Sequence, residues 1–289
     1  MTFEAAFTLY PFHAIDLVQK AVEMGYRKFL AVGGDGTINE VVNGIFRQNT
    51  VPTAEILFSV VPLGTGSDWI KMYKIPRNYK KAIPLIAKGQ IRKQDVGKVS
   101  YQSENGEESR YFGNVAGMAF DAFAVVNSLK MNKSGFMGQL AYLVLILGLI
   151  PKYKSEKMLI EGDNFHYEGN VFCLNIGICK YNGGGMQTVP NAVADDGLFE
   201  ITIIEKMPIL RIFWELRRLY LANIHKVPNV VKSYQTTRLK VTTQAFDYVE
   251  ADGELFGKCP VSFEILPQAL NIQVPDFTQI SDFTQIPAD

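Results

Sequence analysis

The sequence FLAVGGDGTINEVVNGIF at residues 29–46 combines an apolar run, a glycine-rich turn and an amphipathic segment. Residues 29–32 have the length and composition of a buried strand, which the turn at residues 33–36 ends. After the turn, apolar side chains recur at the spacing of one helical face, at Ile38, Val41, Val42, Ile45 and Phe46. Thr37 and Glu40 fit the T-x-x-E capping box, which places the start of the helix at Thr37. The segment therefore predicts a strand–turn–helix unit.

The same succession of elements surrounds this unit. Residues 11–24 have a helical pattern, and residues 56–61 have a strand-like one. Residues 62–66 form a second small-residue turn, which Ser67 follows as the cap of another helix. Alternating strands and helices build a mostly parallel sheet with helices on its faces. We therefore predict a Rossmann-like α/β domain for nucleotide binding over residues 1–94.

The pattern changes after residue 94. Short runs rich in β-branched and aromatic residues are separated by Gly, Asn and Asp turns, at residues 95–101, 111–115, 171–178, 198–204, 238–243 and 246–250. Two helical segments, 138–150 and 209–225, interrupt these runs. We predict a β-sandwich domain over residues 95–274 and a frayed tail over residues 275–289. The predicted fold class is therefore α/β plus all-β, a Rossmann-like domain followed by a β-sandwich.

The composition is that of a globular protein without a global electrostatic field. Of the 289 residues, 47% are hydrophobic and 20% charged, and Lys and Arg balance Asp and Glu at 29 each. Zero net charge argues against nucleic acid as a partner. Three cysteines without a C-x-x-C pair, and an opening without an apolar signal sequence, predict a cytoplasmic location. The most apolar run, residues 140–150, is shorter than the roughly 20 residues that a membrane-spanning helix needs.

Two glycine-rich turns are candidates for binding phosphate. Residues 33–37 and 64–68 each follow a predicted strand and open a predicted helix, which is where open α/β sheets bind anionic ligands. Glycines let the backbone approach a ligand closely, and Asp35 adds a carboxylate that suits Mg²⁺. For each turn alone, a tight connection or a capped helix start is an equally simple interpretation. Together the turns predict a cleft at one edge of the sheet.

Seven segments resemble, in order, the diacylglycerol kinase catalytic-domain family, which includes bacterial diacylglycerol kinases, related lipid kinases and sphingosine kinases. They are GGDGTINEVVNG at 33–44, PLGTGSD at 62–68, DVG at 95–97, NVAGMAFD at 114–121, GGGM at 183–186, DDGL at 195–198 and DGE at 252–254. The resemblance covers the chain from about Thr8 to about Val274, and its first segment is highly specific. It implies a kinase that uses ATP and Mg²⁺.

The resemblance also implies roles for individual residues. The nucleotide would lie against Gly33, Gly34, Asp35, Gly36, Thr37, Ile38 and Asn39, with Thr8 and Thr65 beside it. The helper carboxylates of the family match Asp35, Asp68 and Asp252, and its general base matches Glu254.

A structural Mg²⁺ site is implied at the turn 195–198. Its ligands would be the side chain of Asp196 and carbonyl groups at Val193 and Leu198. Oxygen ligands of this kind suit a hard cation. Without the resemblance, a solvated turn residue is the more frequent interpretation of Asp196.

The implied reaction is phosphoryl transfer to a lipid hydroxyl, in which catalysis depends on positioning and on neutralising the charge of the γ-phosphate. A hydroxyl is a poor nucleophile, so a carboxylate that accepts its proton assists, and Glu254 is the candidate. We expect Asp252 on the same side of an extended segment as Glu254, because side chains alternate along a strand. One carboxylate would then take the proton and the other would hold Mg²⁺.

The chain departs from the family pattern at its start. Family members usually open with a strand and an Asn-Pro-x-Ser-Gly phosphate loop, and no such motif precedes Gly33, so we expect the first βα unit to be missing. Three functions stay open: a lipid kinase acting on diacylglycerol or a related lipid, a catalytically silent lipid- or nucleotide-binding paralogue, and a soluble-metabolite kinase of the NAD kinase type. The segments 195–198 and 252–254 favour the first.

The sequence also leaves open whether the chain contacts a membrane surface or a second copy of itself. The apolar residues 140–150, with lysines on both sides, suit either a core helix, which is the more frequent case, or a transient contact with a membrane surface. With such a contact, the cytoplasmic chain would be a peripheral protein at the inner membrane surface. A homodimer is left open as well.

Overall fold

The computed structural model of the chain describes residues 3–63, 67–131, 139–244 and 248–276. The first part alternates helices and strands: α1 (His13–Glu23), β1 (Lys28–Gly33), α2 (Asp35–Arg47), β2 (Leu57–Pro62), α3 (Trp69–Met72) and α4 (Tyr79–Ala87). Strands β1 and β2 pair in parallel, with Gly33 opposite Pro62. Both turns that follow these strands therefore leave the same edge of the sheet.

The rest of the chain is rich in strands. It contains β3 (Gln90–Ser103), β4 (Gly106–Phe112), β5 (Val115–Ala119), α5 (Phe120–Met131), α6 (Gln139–Leu149), β6 (Glu156–Gly162), β7 (His166–Gly177), β8 (Tyr181–Asn182), β9 (Met186–Gln187), β10 (Phe199–Glu205), α7 (Ile209–Glu215), α8 (Arg217–Tyr220), β11 (Val231–Thr236), β12 (Arg238–Thr243), β13 (Tyr248–Ala251) and β14 (Glu254–Val274). Neighbouring strands in this part pair antiparallel, and α5 to α8 form the helical insertions. The predicted fold class, α/β followed by a β-sandwich, is confirmed.

Strand β14 connects the two parts. It pairs antiparallel with β3, β12 and β13, and near its end Ile272 pairs in parallel with Phe58 of β2. Strand β3 begins at Gln90 and so runs through the predicted domain boundary at residues 94–95. The start of β14 and the turn after β1 are thus fixed to one framework of strands.

The main core lies where the two parts meet. The Phe112 ring stacks on Phe199 at 5.9 Å between centroids and packs edge-on against Phe263. On the α/β side, the buried Trp69 donates from its Nε1 to Gln94 Oε1 at 2.9 Å. A second buried cluster lies beneath the helical insertions and contains Phe120, Leu145, Phe172, Met186 and Leu219. Burial of these large apolar side chains is the main term that holds the elements together.

Helix α2 differs from its sequence-based prediction at its start. It begins at Asp35 with Gly34 as N-cap, two residues before the predicted start at Thr37. The predicted capping box is wrong, because the Glu40 carboxylate accepts from the N–H groups of Phe12 and Ala14 at 2.9 and 3.0 Å. Glu40 therefore caps α1, a tertiary contact that local spacing cannot predict.

Strand β1 is less buried than its apolar composition predicts. In the described part of the chain it pairs with β2 on one side only, and Leu30 and Val32 are exposed by 56% and 51%. Leu30 and Val32 are two positions apart and so lie on the same face of the strand, while Ala31 on the opposite face is buried, so only one face of β1 is covered.

Candidate active site

Asp35 holds the two glycine-rich turns side by side. Both of its carboxylate oxygens accept from the N–H of Asp68, at 2.9 and 3.1 Å, and Oδ1 also accepts from the N–H of Trp69 at 3.4 Å. Asp35 is the first residue of α2, and Trp69 is the first of α3. One carboxylate thus joins the starts of two helices at the edge where both strands end.

The surroundings of Asp35 are desolvated and acidic. The pKa of Asp35 is raised to about 7, first by burial and then by the carboxylates of Asp68 and Asp252. Carboxyl groups gathered in a buried region repel one another unless a cation neutralises them. A cation bound nearby would relieve this repulsion.

Asp68 connects the second turn to a glycine turn of the strand-rich part. Its Oδ1 forms an ion pair with Lys71 Nζ at 2.6 Å, and its Oδ2 accepts from the N–H of Gly184 at 2.7 Å. Gly184 lies in the tight turn between β8 and β9, where residues 183–185 all have positive φ. Only glycine adopts that conformation easily, which explains the three consecutive glycines.

The Asp252–Gly253 pair forms a tight turn between β13 and β14. Its φ angles are 53° and 83°, and Ala251 pairs with Glu254 across it. The expectation of an extended segment is therefore wrong at this point. An Asp-Gly pair between two strands is the typical signal for a two-residue hairpin turn, which needs positive φ at both positions.

The carboxylate of Asp252 is fully engaged by the protein. Oδ2 accepts from Asn39 Nδ2 at 3.0 Å and from the N–H of Gly113 at 3.1 Å, and Oδ1 accepts from the N–H of Asn114 at 3.0 Å. These bonds fix the hairpin turn against α2 and against the connection between β4 and β5. The geometry makes Asp252 a residue that positions the turn before Glu254.

Glu254 lies directly against the start of α2. A Cβ atom on Gly36 would be only 3.2 Å from Glu254 Oε1, so glycine at position 36 leaves room for the carboxylate. Burial raises the pKa of Glu254, the nearby Glu40 and Asp252 add to this, and Arg110 opposes it. The Arg110 guanidinium lies over the Phe12 ring, 4.5 Å from its centroid. Glu254 is 219 positions from Asp35 in the sequence and lies against Gly36, the residue that follows Asp35.

The N-terminus of α2 lies beside Glu254 and has backbone donors without helical acceptors. The first helical hydrogen bond runs from the N–H of Ile38 to the Gly34 carbonyl at 3.1 Å. The N–H groups of Asp35, Gly36 and Thr37 precede it, and such groups have no acceptor within their own helix. They can bind an anion, and the helix dipole favours one there.

Other predicted nucleotide residues have different surroundings. The Ile38 side chain is buried in the core, and Asn39 is buried with its amide bonded to Asp252 and to the Tyr111 carbonyl. Thr8 is exposed in the irregular segment before α1. Thr65 lies outside the described residues.

At the turn 195–198, where the sequence predicts Mg²⁺, the carboxylate of Asp95 rather than that of Asp196 joins the turn to β14. The buried Asp95 accepts from the N–H of Gly197 at 2.7 Å and from the N–H of Gln268 at 2.6 Å. Asp196 is exposed, and its Oδ1 accepts from the N–H of Leu198 at 3.0 Å. Val193 is also exposed. In the described parts of the chain, no three His, Cys, Asp or Glu side chains are grouped to hold a metal ion.

A buried acid pair beside the cleft was not predicted from the sequence. Glu250 Oε2 accepts from the N–H of Gly253 at 2.9 Å, and Asp121 Oδ2 accepts from Asn182 Nδ2 at 2.9 Å. Burial raises the pKa of both carboxyls, that of Asp121 to about 6 and that of Glu250 well above its ordinary value. Burial disfavours the ionised form of both carboxyls, and their hydrogen bonds support the turns on either side of the pair.

Comparisons with known proteins place both parts of the chain in known families. Residues 1–99 match the diacylglycerol kinase catalytic domain, and residues 115–274 match the YegS C-terminal NAD kinase beta sandwich-like domain. A diacylglycerol kinase of Staphylococcus epidermidis is 28% identical over 260 residues, which cover 89% of this chain and 77% of that protein. One of Staphylococcus carnosus is 27% identical over 270 residues, which cover 92% of this chain and 83% of that protein.

A solved structure has the same fold. The crystal structure of a diacylglycerol kinase from Bacillus anthracis superimposes with a TM-score of 0.67 at 19% identity. The superposition covers 92% of this chain and 83% of the other.

Proposed function

The chain belongs to the diacylglycerol kinase catalytic-domain family and is a lipid kinase, and we propose that it transfers the γ-phosphoryl group of ATP to a hydroxyl of diacylglycerol or a related lipid, with Mg²⁺. The observation that carries this proposal is the place of Glu254, whose carboxylate lies against the N-terminus of α2. A base and an anion-binding helix start thus share one cleft.

In this proposal the phosphates of ATP bind at the start of α2. The N–H groups of Asp35, Gly36 and Thr37 supply donors, and the absence of a side chain at Gly33 and Gly36 lets the nucleotide come close. Gly33 is also needed for packing, because a Cβ there would collide with Thr37 Oγ1. Thr8, Gly34, Ile38, Asn39 and Thr65 stay predicted neighbours of the nucleotide.

Glu254 would accept the proton of the lipid hydroxyl as its oxygen attacks phosphorus. A carboxylate with a raised pKa is a stronger base than one in water. Burial raises the pKa of Glu254, Glu40 and Asp252 add to the rise, and Arg110 opposes it. Asp252 holds the turn from which Glu254 extends and so fixes the position of the base.

Asp35 and Asp68 would hold the catalytic Mg²⁺. The raised pKa of Asp35 reflects burial and neighbouring carboxylates that a cation would relieve, which is the chemical fit that supports this assignment. When bound, Mg²⁺ would neutralise charge on the transferred phosphoryl group. The second Mg²⁺, on Asp196 and the carbonyls of Val193 and Leu198, stays a prediction.

The proposal is tested by an acceptor screen. The purified chain is incubated with γ-labelled ATP, with and without MgCl₂, and with diacylglycerol, a sphingoid base or NAD as acceptor. We expect label in the diacylglycerol fraction, dependent on Mg²⁺. Transfer to NAD alone would assign a soluble-metabolite kinase, and lipid binding without any ATP turnover would assign a silent binding protein.

A further inference from the structure

Helices α7 and α8 form an almost continuous helical segment with an apolar outer face. Leu216, which joins them, has helical backbone angles of −52° and −37°. Ile212 and Leu219 point inward and belong to the buried cluster beneath the insertions. Leu210 and Trp214, four positions apart, are exposed by 83% and 63%.

This outer face extends along the whole segment. Residues at spacings of three or four lie on one side of a helix. The exposed residues with this spacing are Leu210, Phe213, Trp214, Arg217 and Leu221, here called the docking stripe. A helix on the surface of a globular protein normally turns polar residues outward. An exposed stripe that is apolar at four of its five positions therefore indicates a binding face.

The charges around the docking stripe are mostly positive and therefore indicate an anionic partner. Residues 206–229 carry five cationic side chains and one carboxylate, whereas the whole chain has a net charge of zero. That carboxylate, Glu215, is buried and paired with Arg218. The Arg217 guanidinium lies over the outer face of the segment, 3.8 Å from the centroid of the Trp214 ring. Apolar side chains with a tryptophan and surrounding cations fit the interfacial region of an anionic bilayer.

The docking stripe adjoins the cleft. Leu219 of α8 and Met186 of β9 belong to the same buried cluster, and Gly184, two residues before Met186, donates to Asp68. The pKa of Tyr220 is raised by burial and by the charge of Asp68. A bilayer on this face would lie next to the edge of the cleft formed by Asp68.

We propose that the docking stripe inserts into the surface of an anionic phospholipid bilayer and holds the cleft against the membrane that supplies the lipid acceptor. This inference rests on the proposed function for the identity of the acceptor. The docking itself depends only on the chemistry of the stripe and can be measured without catalysis.

Tryptophan fluorescence gives a direct readout. The chain has two tryptophans, and Trp69 is buried whereas Trp214 lies in the docking stripe. With vesicles of phosphatidylcholine and phosphatidylglycerol, we expect the emission to shift to shorter wavelength and brominated lipid to quench it. Vesicles of phosphatidylcholine alone should give a weaker effect. Emission that anionic vesicles leave unchanged would overturn the proposal.

Variants separate the docking stripe from other surfaces. The double substitution Leu210→Ser with Trp214→Ser should weaken cosedimentation with anionic vesicles by about tenfold or more, because the buried apolar area is lost. Ile91→Ser, at an exposed apolar position of β3, is the matched control and should bind like the wild type. Equal binding by the double variant and the wild type would contradict the proposal.

Kinase assays distinguish this proposal from the proposed function. The double variant should lose about tenfold or more of the activity towards vesicle-embedded diacylglycerol relative to that towards a dispersed short-chain diacylglycerol. If the wild type phosphorylates neither acceptor but binds anionic vesicles, the proposed function fails and the docking stripe stands. If the stripe instead mediates dimers in light scattering, with no vesicle binding, a second copy of the chain covers it and the docking proposal fails.

Discussion

The Asp35 carboxylate accepts the N–H of Asp68 at 2.9 and 3.1 Å, although 33 positions separate the two residues. This bond places the starts of α2 and α3 at one buried acid. Asp35 therefore has a structural task, accepting the N–H groups of the second turn, and a proposed chemical one, binding a cation. The two tasks place different demands on the side chain, so substitutions can separate them.

Replacing Asp35 by Asn and by Ala should separate these tasks. Asn keeps an oxygen for the Asp68 N–H, whereas Ala leaves that buried group unpaired. We expect Asp35→Ala to lower the free energy of unfolding by about 1–3 kcal/mol and Asp35→Asn to lower it by less. Both should reduce kcat about 100-fold or more, since neither binds Mg²⁺ well. Urea denaturation and the lipid kinase assay measure the two effects, and normal turnover by Asp35→Asn would remove Asp35 from the cation site.

The response of stability to Mg²⁺ should depend on pH. The pKa of Asp35 is raised to about 7, so without metal its contribution to stability is lost as the pH rises through that value. Mg²⁺ binds the ionised form and should offset the loss. We expect MgCl₂ to raise the thermal midpoint more at about pH 8 than at about pH 6, and Asp35→Asn to remove this difference. Equal midpoint shifts at both pH values would place the ion elsewhere.

Arg110 should set the acid side of the pH–rate profile. Its charge lowers the pKa of Glu254, opposing burial and the charges of Glu40 and Asp252. Removing the charge in Arg110→Met should raise that pKa, so the rise of kcat with pH should begin at a higher pH than in the wild type. Arg238→Met is the control, because Arg238 is exposed and pairs with the exposed Glu264. An unchanged profile in Arg110→Met would show that Glu254 does not govern this limb.

The acid pair of Asp121 and Glu250 should destabilise the chain at high pH. The pKa of each carboxyl is raised by burial, so the stability that depends on the shared proton is lost as the pH rises through those values. Glu250→Gln keeps an acceptor for the N–H of Gly253 and cannot ionise. We expect the thermal midpoint of this variant to fall less between about pH 6 and about pH 9 than that of the wild type. A parallel fall in both proteins would mean that the pair does not titrate.

Local sequence patterns predict those elements whose formation depends on residues close together in the sequence. Apolar spacing predicted α2, and strand-like runs predicted the sandwich, because these signals lie within short segments. The start of α2 was misplaced because Glu40 caps α1, and only the packing of the two helices shows this. The turn at Asp252 was missed because residues 252–254 were treated as extended, although Asp-Gly is a common turn pair.

The sequence predicted which types of residue form the candidate site, but not which side chains contact one another. The sequence indicated that carboxylates would gather at the glycine turns. Asp35 accepts from the N–H of Asp68, and Glu254 lies against Gly36, the residue after Asp35. The pairing of Asp121 with Glu250 depends on the register of β13 against β5, which places Glu250 opposite Gly117. A single sequence does not contain that register in any short segment.

Glu254 is proposed as the base beside the phosphate site, and kcat for diacylglycerol phosphorylation in Glu254→Gln measures this role. Glu264→Gln is the control, because it makes the same change at an exposed position of the same strand. We expect kcat to fall about 100-fold or more in Glu254→Gln and to stay at the wild-type value in Glu264→Gln, with both variants folded. A Glu254→Gln variant that turns over at the wild-type rate would contradict this role.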